Sequence, residues 1–426
     1  GLTLACSLRN HGVEVRVADC AAGPATSSRA LGLQPRGAEV LDRVGALADL
    51  ADRAVKALTV HIHANGAELT LPIGRGSPDG RQTMFISQAD IEAELRRRLM
   101  ELGGKIEWNT ELVGVEQDAA GVVATICDTG PTGVRRKHEL HCDWLIGADG
   151  AHSAVRELSG IGFPGTTLYD RMLLADVRVD WALDREGTTI WSRGEELFAV
   201  IPLPGSDQWR LFASIPEGFP EHASDQDVIA VFDPMLRRYA GTDAAALRSI
   251  GWTSVFCMNR RLADTYRNQR VLLGGDAAHI HSPLGGQGMN TGIADAENLA
   301  WKLALVVAGA ADDGLLDSYE AERRPLAEDV LKTTTVAAVT ILAPGVLARL
   351  RRGVLFRLMQ RPAVQRRMWY SMSQLGVSYR GGPLARTRRL TVGGRRPRPG
   401  DRIPDVGCQS PDGRTTRLYV ELRGQW

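Results

Sequence analysis

The run from Arg270 to Lys302, RVLLGGDAAHIHSPLGGQGMNTGIADAENLAWK, limits the possible fold more than any other stretch. It sets a buried strand, an acidic turn, a glycine-rich loop and a helix in that order. Val271, Leu272 and Leu273 form an apolar run stopped by Gly274 and Gly275, the pattern of a strand covered on both faces. Asp276 then stands at the strand's carboxyl end. Gly285, Gly286 and Gly288 let a ligand approach the backbone closely. From Met289 the spacing predicts a helix whose apolar positions Ile293, Ala296, Ala300, Leu303 and Val307 share one face as far as Gly309. The free amides at the start of such a helix attract negative charge.

One carboxylate that accepts hydrogen bonds from sugar-like hydroxyls, beside a helix amino end that stabilises an anion, suits a reduced flavin. A flavin brings a polyhydroxyl ribityl chain and a ring whose pyrimidine end carries negative charge. The strings GDAAH, P-x-GGQGMN-x-G and DA-x-NLAWKL resemble the second FAD signature of the single-component aromatic hydroxylases, the family with the para-hydroxybenzoate hydroxylase-like fold. The resemblance implies that Asp276 holds the ribityl chain. It also implies that Gly286, Gly288, Met289 and Asn290 offer backbone amides to the ring, and that Pro283 and Leu284 border it where substrate approaches. Pro283 and Gly286 are thus the catalytic candidates, through backbone placement; no side-chain general base is evident.

Cys142 to Arg156 reads as a second strand, acidic glycine turn and helix. By resemblance Asp149, Gly150 and Arg156 form a nucleotide site near the flavin phosphates and the passing nicotinamide. The plainer alternative is that Asp149 and Ser153 cap the helix. At the amino terminus, Gly1 to Leu8 reads as the opening of a helix and Val13 to Asp19 as a strand ending on an acid. Together they make the back half of a βαβ unit. A dinucleotide fingerprint places an acid about 20 residues beyond its glycines to hold a ribose. Gly1 fits the last glycine, and Asp19, followed by Cys20, fits the acid. The first strand and two leading glycines are missing, so the sequence is expected to be a piece of a longer protein. Arg29 in the SRALGLQPR loop matches the family's arginine against the flavin side chain. Gln88 matches its glutamine at a helix start, where Ser87 to Asp90 resembles a capping box and Ile91, Leu95 and Leu102 point inward before the stop at Gly103 and Gly104.

At 426 residues the chain suggests two or three domains, and 44% hydrophobic content suits a globular enzyme. A formal net charge of +1 gives no argument for nucleic acid or a membrane surface. Neither a signal peptide nor a long apolar span is evident, which points to the cytoplasm. The six cysteines are scattered without C-x-x-C spacing. His61-x-His63 and His279-x-His281 lack the third and fourth ligands a metal needs, so no metal is expected and His279 is assigned to the flavin loop.

The expected fold class is α/β: a Rossmann-like FAD-binding domain (1–56, 87–163 and 262–345) with an inserted, mainly antiparallel β substrate domain (57–86 and 164–261). A helical linker (346–392) and the start of a thioredoxin-like domain (393–426) follow. Strands are expected at Met172–Val179, between Thr188 and Pro204, and at Trp209–Ile215, joined by a smaller group around Leu58–Ile73 and Thr83–Ile86. One face of that sheet would be free for a ligand, with Trp191, Phe198, Pro202, Phe212 and Met258 as pocket walls. Leu316, Tyr319, Glu322, Arg323 and Pro325 match the family's L-x-x-Y-x-x-E-R-x-P, with Glu322 and Arg323 taken as structural. The resemblance, closest to the branch that tailors aromatic polyketides, implies hydroxylation of a polycyclic aromatic. NADPH or NADH would reduce FAD, and O2 would react through a flavin 4a-hydroperoxide. The same fold would also serve antibiotic inactivation or Baeyer–Villiger insertion; a non-catalytic flavin or substrate carrier is the alternative of another class.

Overall fold

In the computed structural model the strand Val271–Leu273 is fully buried and pairs in parallel with Leu145–Gly147 and antiparallel with Arg267–Asn268. The structure describes residues 1–26, 30–56, 59–72, 82–129, 135–181, 183–194, 196–205, 207–220, 223–241, 247–282, 285–342, 345–385 and 397–422. The parallel pair leaves two chain ends side by side. The amide of Gly274 donates to the carbonyl of Gly147 at 2.9 Å, so the turns carrying Asp276 and Asp149 emerge together at the carboxyl edge. Ligands of open α/β sheets bind at such an edge.

Three helices surround it. Leu2–Asn10 buries Leu4, Ala5 and Leu8 and packs along the long helix Gly288–Val307. That helix buries Ile293, Ala296, Ala300 and Leu303 as spaced, but Val307 is exposed, because the last turn runs past the core into solvent. Gln88–Glu101 starts on a Ser87 hydroxyl that accepts from the Ala89 amide, and buries Ile91, Leu95 and Leu99. Leu102, expected inward with them, falls at the carboxyl cap beside Gly103 (φ 76°), where it is half-buried against the same core. The expected strand from Val13 to Asp19 shrinks to Val17–Ala18, since its partner, Ile106–Glu107, is only two residues long.

An eight-stranded sheet forms the second layer, in the order His279–Ile280, Leu247–Leu262, Gly165–Val179, Gln208–Ser214, Glu196–Pro202, Gly187–Arg193, Thr59–Ala64, Ala67–Pro72. All neighbours are antiparallel except Gly187–Arg193 and Thr59–Ala64, so the early hairpin is welded on in parallel. Met84–Phe85 does not join this sheet as expected. It pairs instead with Gly32–Leu33 and Val55–Lys56, where Met84 and Ile86 pack into the core of the amino-terminal helices. At the other edge His279–Ile280, from the glycine-rich loop, pairs with Arg261 and Leu262, joining the two layers through backbone hydrogen bonds.

Both faces of the sheet are covered, contrary to a face left free. Phe198, Val200, Trp209 and Leu211 pack against the helix Asp225–Met235, which opens on a Ser224–Asp227 capping box. Ile62, Met172, Leu174, Phe212 and Met258 pack on the other side with Phe356 of the helix Val346–Met359. The 346–392 segment is therefore more than a connector: its helices Val346–Met359 and Pro362–Met372 lie against the strand Ala67–Pro72. Helix Asp317–Leu342 buries Tyr319, whose hydroxyl donates to the Leu273 carbonyl at 2.8 Å. Near the carboxyl end a small hairpin, Gly407–Gln409 with Thr415–Arg417, precedes the short helix Leu418–Glu421. Among the described residues no helix is long and apolar enough to cross a membrane.

Candidate functional site

Asp276 is exposed at the strand edge, on a turn that Gly275 makes with φ 62°. That turn presses on the long helix: a Cβ on Gly292 would lie 3.2 Å from the Gly275 Cα. Beneath it the buried Asp295 carboxylate accepts from the Gly275 amide (3.1 Å), from His279 Nε2 (2.7 Å) and from Arg323 Nε (2.7 Å). Arg323 donates onward to the Thr291 carbonyl and the Tyr379 hydroxyl. Burial alone would raise the Asp295 carboxyl, but Arg323 and His279 outweigh it and hold it down to about 2. Burial works against the Arg323 guanidinium too, yet Tyr379 and Asp295 raise it. A second buried set, Lys302 with Glu322 (2.7 Å) and Asn298, joins the same two helices. Asp295 was legible only as part of a motif string; its role as the anchor of the acidic turn depends on a residue 28 positions away.

Gly285 (φ 92°) and Gly286 (φ 60°) carry the loop through a backbone region that side chains rarely adopt. Asn290 is fully buried and stitches the loop down. Its amide nitrogen donates to the carbonyls of Gly32 and Gly286 (both 2.8 Å), and its oxygen accepts from the Gln34 amide (2.8 Å). Gln287 donates to the carbonyls of Gly285 and Met372 and accepts from Gln374 (2.8 Å). Gln34, Met372 and Gln374 were missed: each acts through long-range contacts that no local pattern signals. Gly288 and Met289 open the long helix. Pro283, Leu284 and Arg29 lie outside the described residues.

On the neighbouring turn Asp149 accepts from the Ser153 hydroxyl and the Val155 amide, and Ser153 caps Arg156, so both acid and serine do cap the short helix Ala154–Leu158. Arg156 is buried over the Phe163 ring and donates to the carbonyls of Ala277 and Ala151 at 3.0 Å, tying together the Asp149 and Asp276 turns. Gly150 has φ 81°. Gly1 sits against this turn: a Cβ there would lie 3.7 Å from the Ala148 Cβ. Asp19 is exposed, with its carboxylate accepting from the Ala21 amide. Cys20 lines a polar hollow of about 180 Å³ with Asn109, Glu111, Cys127, Thr129 and Arg135. Gln88 donates to Glu92 at 2.7 Å.

The five expected pocket residues are not brought together. Phe212 and Met258 lie on the sheet face that meets the glycine loop, where Met258 Sδ accepts from the Ser282 hydroxyl at 3.7 Å. Trp191 and Phe198 lie on the opposite face, stacked with Tyr239 in the helix-covered core, and strand alternation places the buried Pro202 with Phe198. The histidine pair 61 and 63 bonds Thr59, Thr70 and Glu68, and no metal-ligating group of three occurs among the described residues.

The residues present fit FAD: two acids on neighbouring turns at one sheet edge, the start of the long helix Gly288–Val307, and a loop whose Gly285 and Gly286 take backbone conformations that side chains rarely adopt. The FAD binding domain model matches residues 1–334. The chain is 34% identical to a flavin-dependent monooxygenase of Mycobacteroides abscessus, over 100% of this chain and 84% of the relative. It is 35% identical to 6-methylpretetramide 4-monooxygenase of Streptomyces rimosus, over 90% and 69%. Its fold matches the anhydrotetracycline hydroxylase from Streptomyces rimosus with a TM-score of 0.82 at 33% identity, over 99% of this chain and 81% of that one. With geometry and likeness in agreement, the chain belongs to the FAD binding domain family and is a flavin-dependent monooxygenase.

Proposed function

We propose that this protein hydroxylates an electron-rich ring of a polycyclic, polyketide-type aromatic, with NAD(P)H and O2 as co-substrates. The observation that carries the reading is the junction at Ser282 and Met258, where the glycine loop meets a sheet face built from Met172, Leu174, Phe212 and Phe256. The apolar side chains gathered there, roofed by Phe356 of the helix Val346–Met359, set an apolar environment beside a polar cofactor seat, which suits a fused-ring ligand. Relatives that bear tetracycline-pathway names support that substrate class.

Bound FAD supplies the oxygen chemistry. In this reading Asp276 accepts hydrogen bonds from the cofactor's hydroxyls, and the amides from Gly286 to Asn290 stabilise negative charge at the ring. Asp149, Gly1 and Asp19 attend its phosphate and ribose portions. The Asn290 and Gln287 clamps fix the loop, so ring and substrate meet in a set geometry with water kept out. Phe212 and Met258 remain as candidate walls, and a cytoplasmic location completes the proposal.

The test is to load the full chain with FAD and NADPH, offer polycyclic phenols under isotopically labelled O2, and analyse products by mass. One labelled oxygen on the ring is expected. NADPH oxidation that stays at background with every polycyclic phenol, or product without label, would refute the assignment.

A further inference from the structure

His281 has two ring nitrogens in different circumstances. Nδ1 lies 2.7 Å from the Ser282 carbonyl oxygen, which can only accept, so Nδ1 carries the hydrogen and Nε2 bears a lone pair. Nε2 is shielded from solvent and makes no hydrogen bond among the described residues. It faces the first turn of the long helix: a Cβ on Gly288 would lie 3.6 Å from it. The next residue, Ser282, donates its hydroxyl to Met258 Sδ on the substrate-side face. The unfilled acceptor thus stands where the glycine loop, the helix start and the sheet meet.

Resting on the flavin-monooxygenase reading, we infer that His281 Nε2 is a built-in hydrogen-bond acceptor for a ligand hydroxyl at this junction. The hydroxyl belongs either to a phenol of the aromatic substrate or to the ribityl chain of the cofactor. A buried acceptor left without a donor is costly, and a site with such a group favours the ligand that completes it. Burial, opposed by the Ser282 contact and reinforced by His279, lowers the ring to about 4. At neutral pH the imidazole is therefore uncharged and holds an O–H without removing its proton. It is a positioning group that turns the hydroxyl, and with it the ring, toward one orientation.

Two substitutions separate this role from a structural one. In His281→Asn the amide can replace Nδ1 against Ser282 but offers nothing at Nε2; in His281→Gln the amide oxygen can replace Nε2 but the Ser282 contact is lost. Full-chain protein is titrated with FAD by flavin fluorescence, and the FAD-loaded protein with 2-hydroxyanthraquinone and its methyl ether by visible absorbance. The expected result is about tenfold weaker binding to His281→Asn, with near wild-type binding to His281→Gln, in one arm, as one lost hydrogen bond implies. Loss in the quinone arm, confined to the free phenol, assigns the substrate; loss in the FAD arm assigns the cofactor. The 15N signal of Nε2 in wild-type protein should move on adding the same ligand. The inference is overturned if His281→Asn matches wild type in both arms, if His281→Gln is the weaker variant, or if the Nε2 signal is unmoved. Wild-type protein that takes up no FAD would instead overturn the functional reading itself.

Discussion

Replacing Asp295 by Asn tests whether the buried ion network holds the acidic turn. The carboxylate is 1% exposed and the Arg323 side chain 2%, so neither charge has water to fall back on. Asparagine keeps one acceptor but removes the negative charge, and its NH2 would face donors at Gly275 and His279. Leaving a buried arginine without its carboxylate costs about 3–5 kcal/mol. At about 2 °C per kcal/mol for a large chain, that predicts a fall in Tm of roughly 6–10 °C, read by circular dichroism on flavin-free protein. FAD affinity should fall with it, by roughly tenfold, since the Gly275 amide loses its anchor and Asp276 its fixed position. The double variant Asp295→Leu with Arg323→Met should be less destabilised than Asp295→Asn alone, because no uncompensated charge remains. A Tm within about 2 °C of wild type for Asp295→Asn, or a double variant worse than the single, would refute the reasoning.

The same carboxyl, held down to about 2 against an ordinary 3.8, contributes stability that is complete above about pH 5 and is lost as pH falls toward 2. Acid unfolding of Asp295→Asn should be flatter across that window, and parallel curves would contradict this. Asp276→Ala should weaken FAD binding by about 10- to 100-fold through loss of a charged acceptor, measured by fluorescence titration; yellow protein at full occupancy after extensive dialysis would count against the role given to Asp276. Gly286→Val places a branched side chain at φ 60°, 3.8 Å from the Gly32 Cα, and should abolish flavin retention while leaving the secondary structure by circular dichroism unchanged; retained flavin with normal reduction by NADPH would show the loop tolerates it.

The strand Val271–Leu273, its acidic turn, the glycine loop and the helix after it were readable because all are local. Apolar runs, glycine positions and 3.6-residue spacing fix them within a few turns of chain. The sequence also carried the motif residues Asp295, Tyr319, Glu322 and Arg323, though not their pairing. What it misjudged depended on neighbours: Met84–Phe85 took a different sheet, Val307 ran out into solvent, and the linker helices packed onto the strand Ala67–Pro72. The pocket list failed to converge for the same reason, as alternation on separate strands says nothing about which face meets the flavin loop.

By itself, then, the amino-acid order determined a strand-turn-loop-helix unit suited to a flavin and a β-rich insertion beside it. Tertiary structure alone decided that Asp295 would brace the turn, that Asn290 and Gln287 would clamp the loop, and that His281 Nε2 would meet no hydrogen-bond partner among the described residues. Periodicity records how each residue sits on its own element, whereas a hydrogen bond between residues 28 or 258 positions apart exists only once packing has brought those elements together.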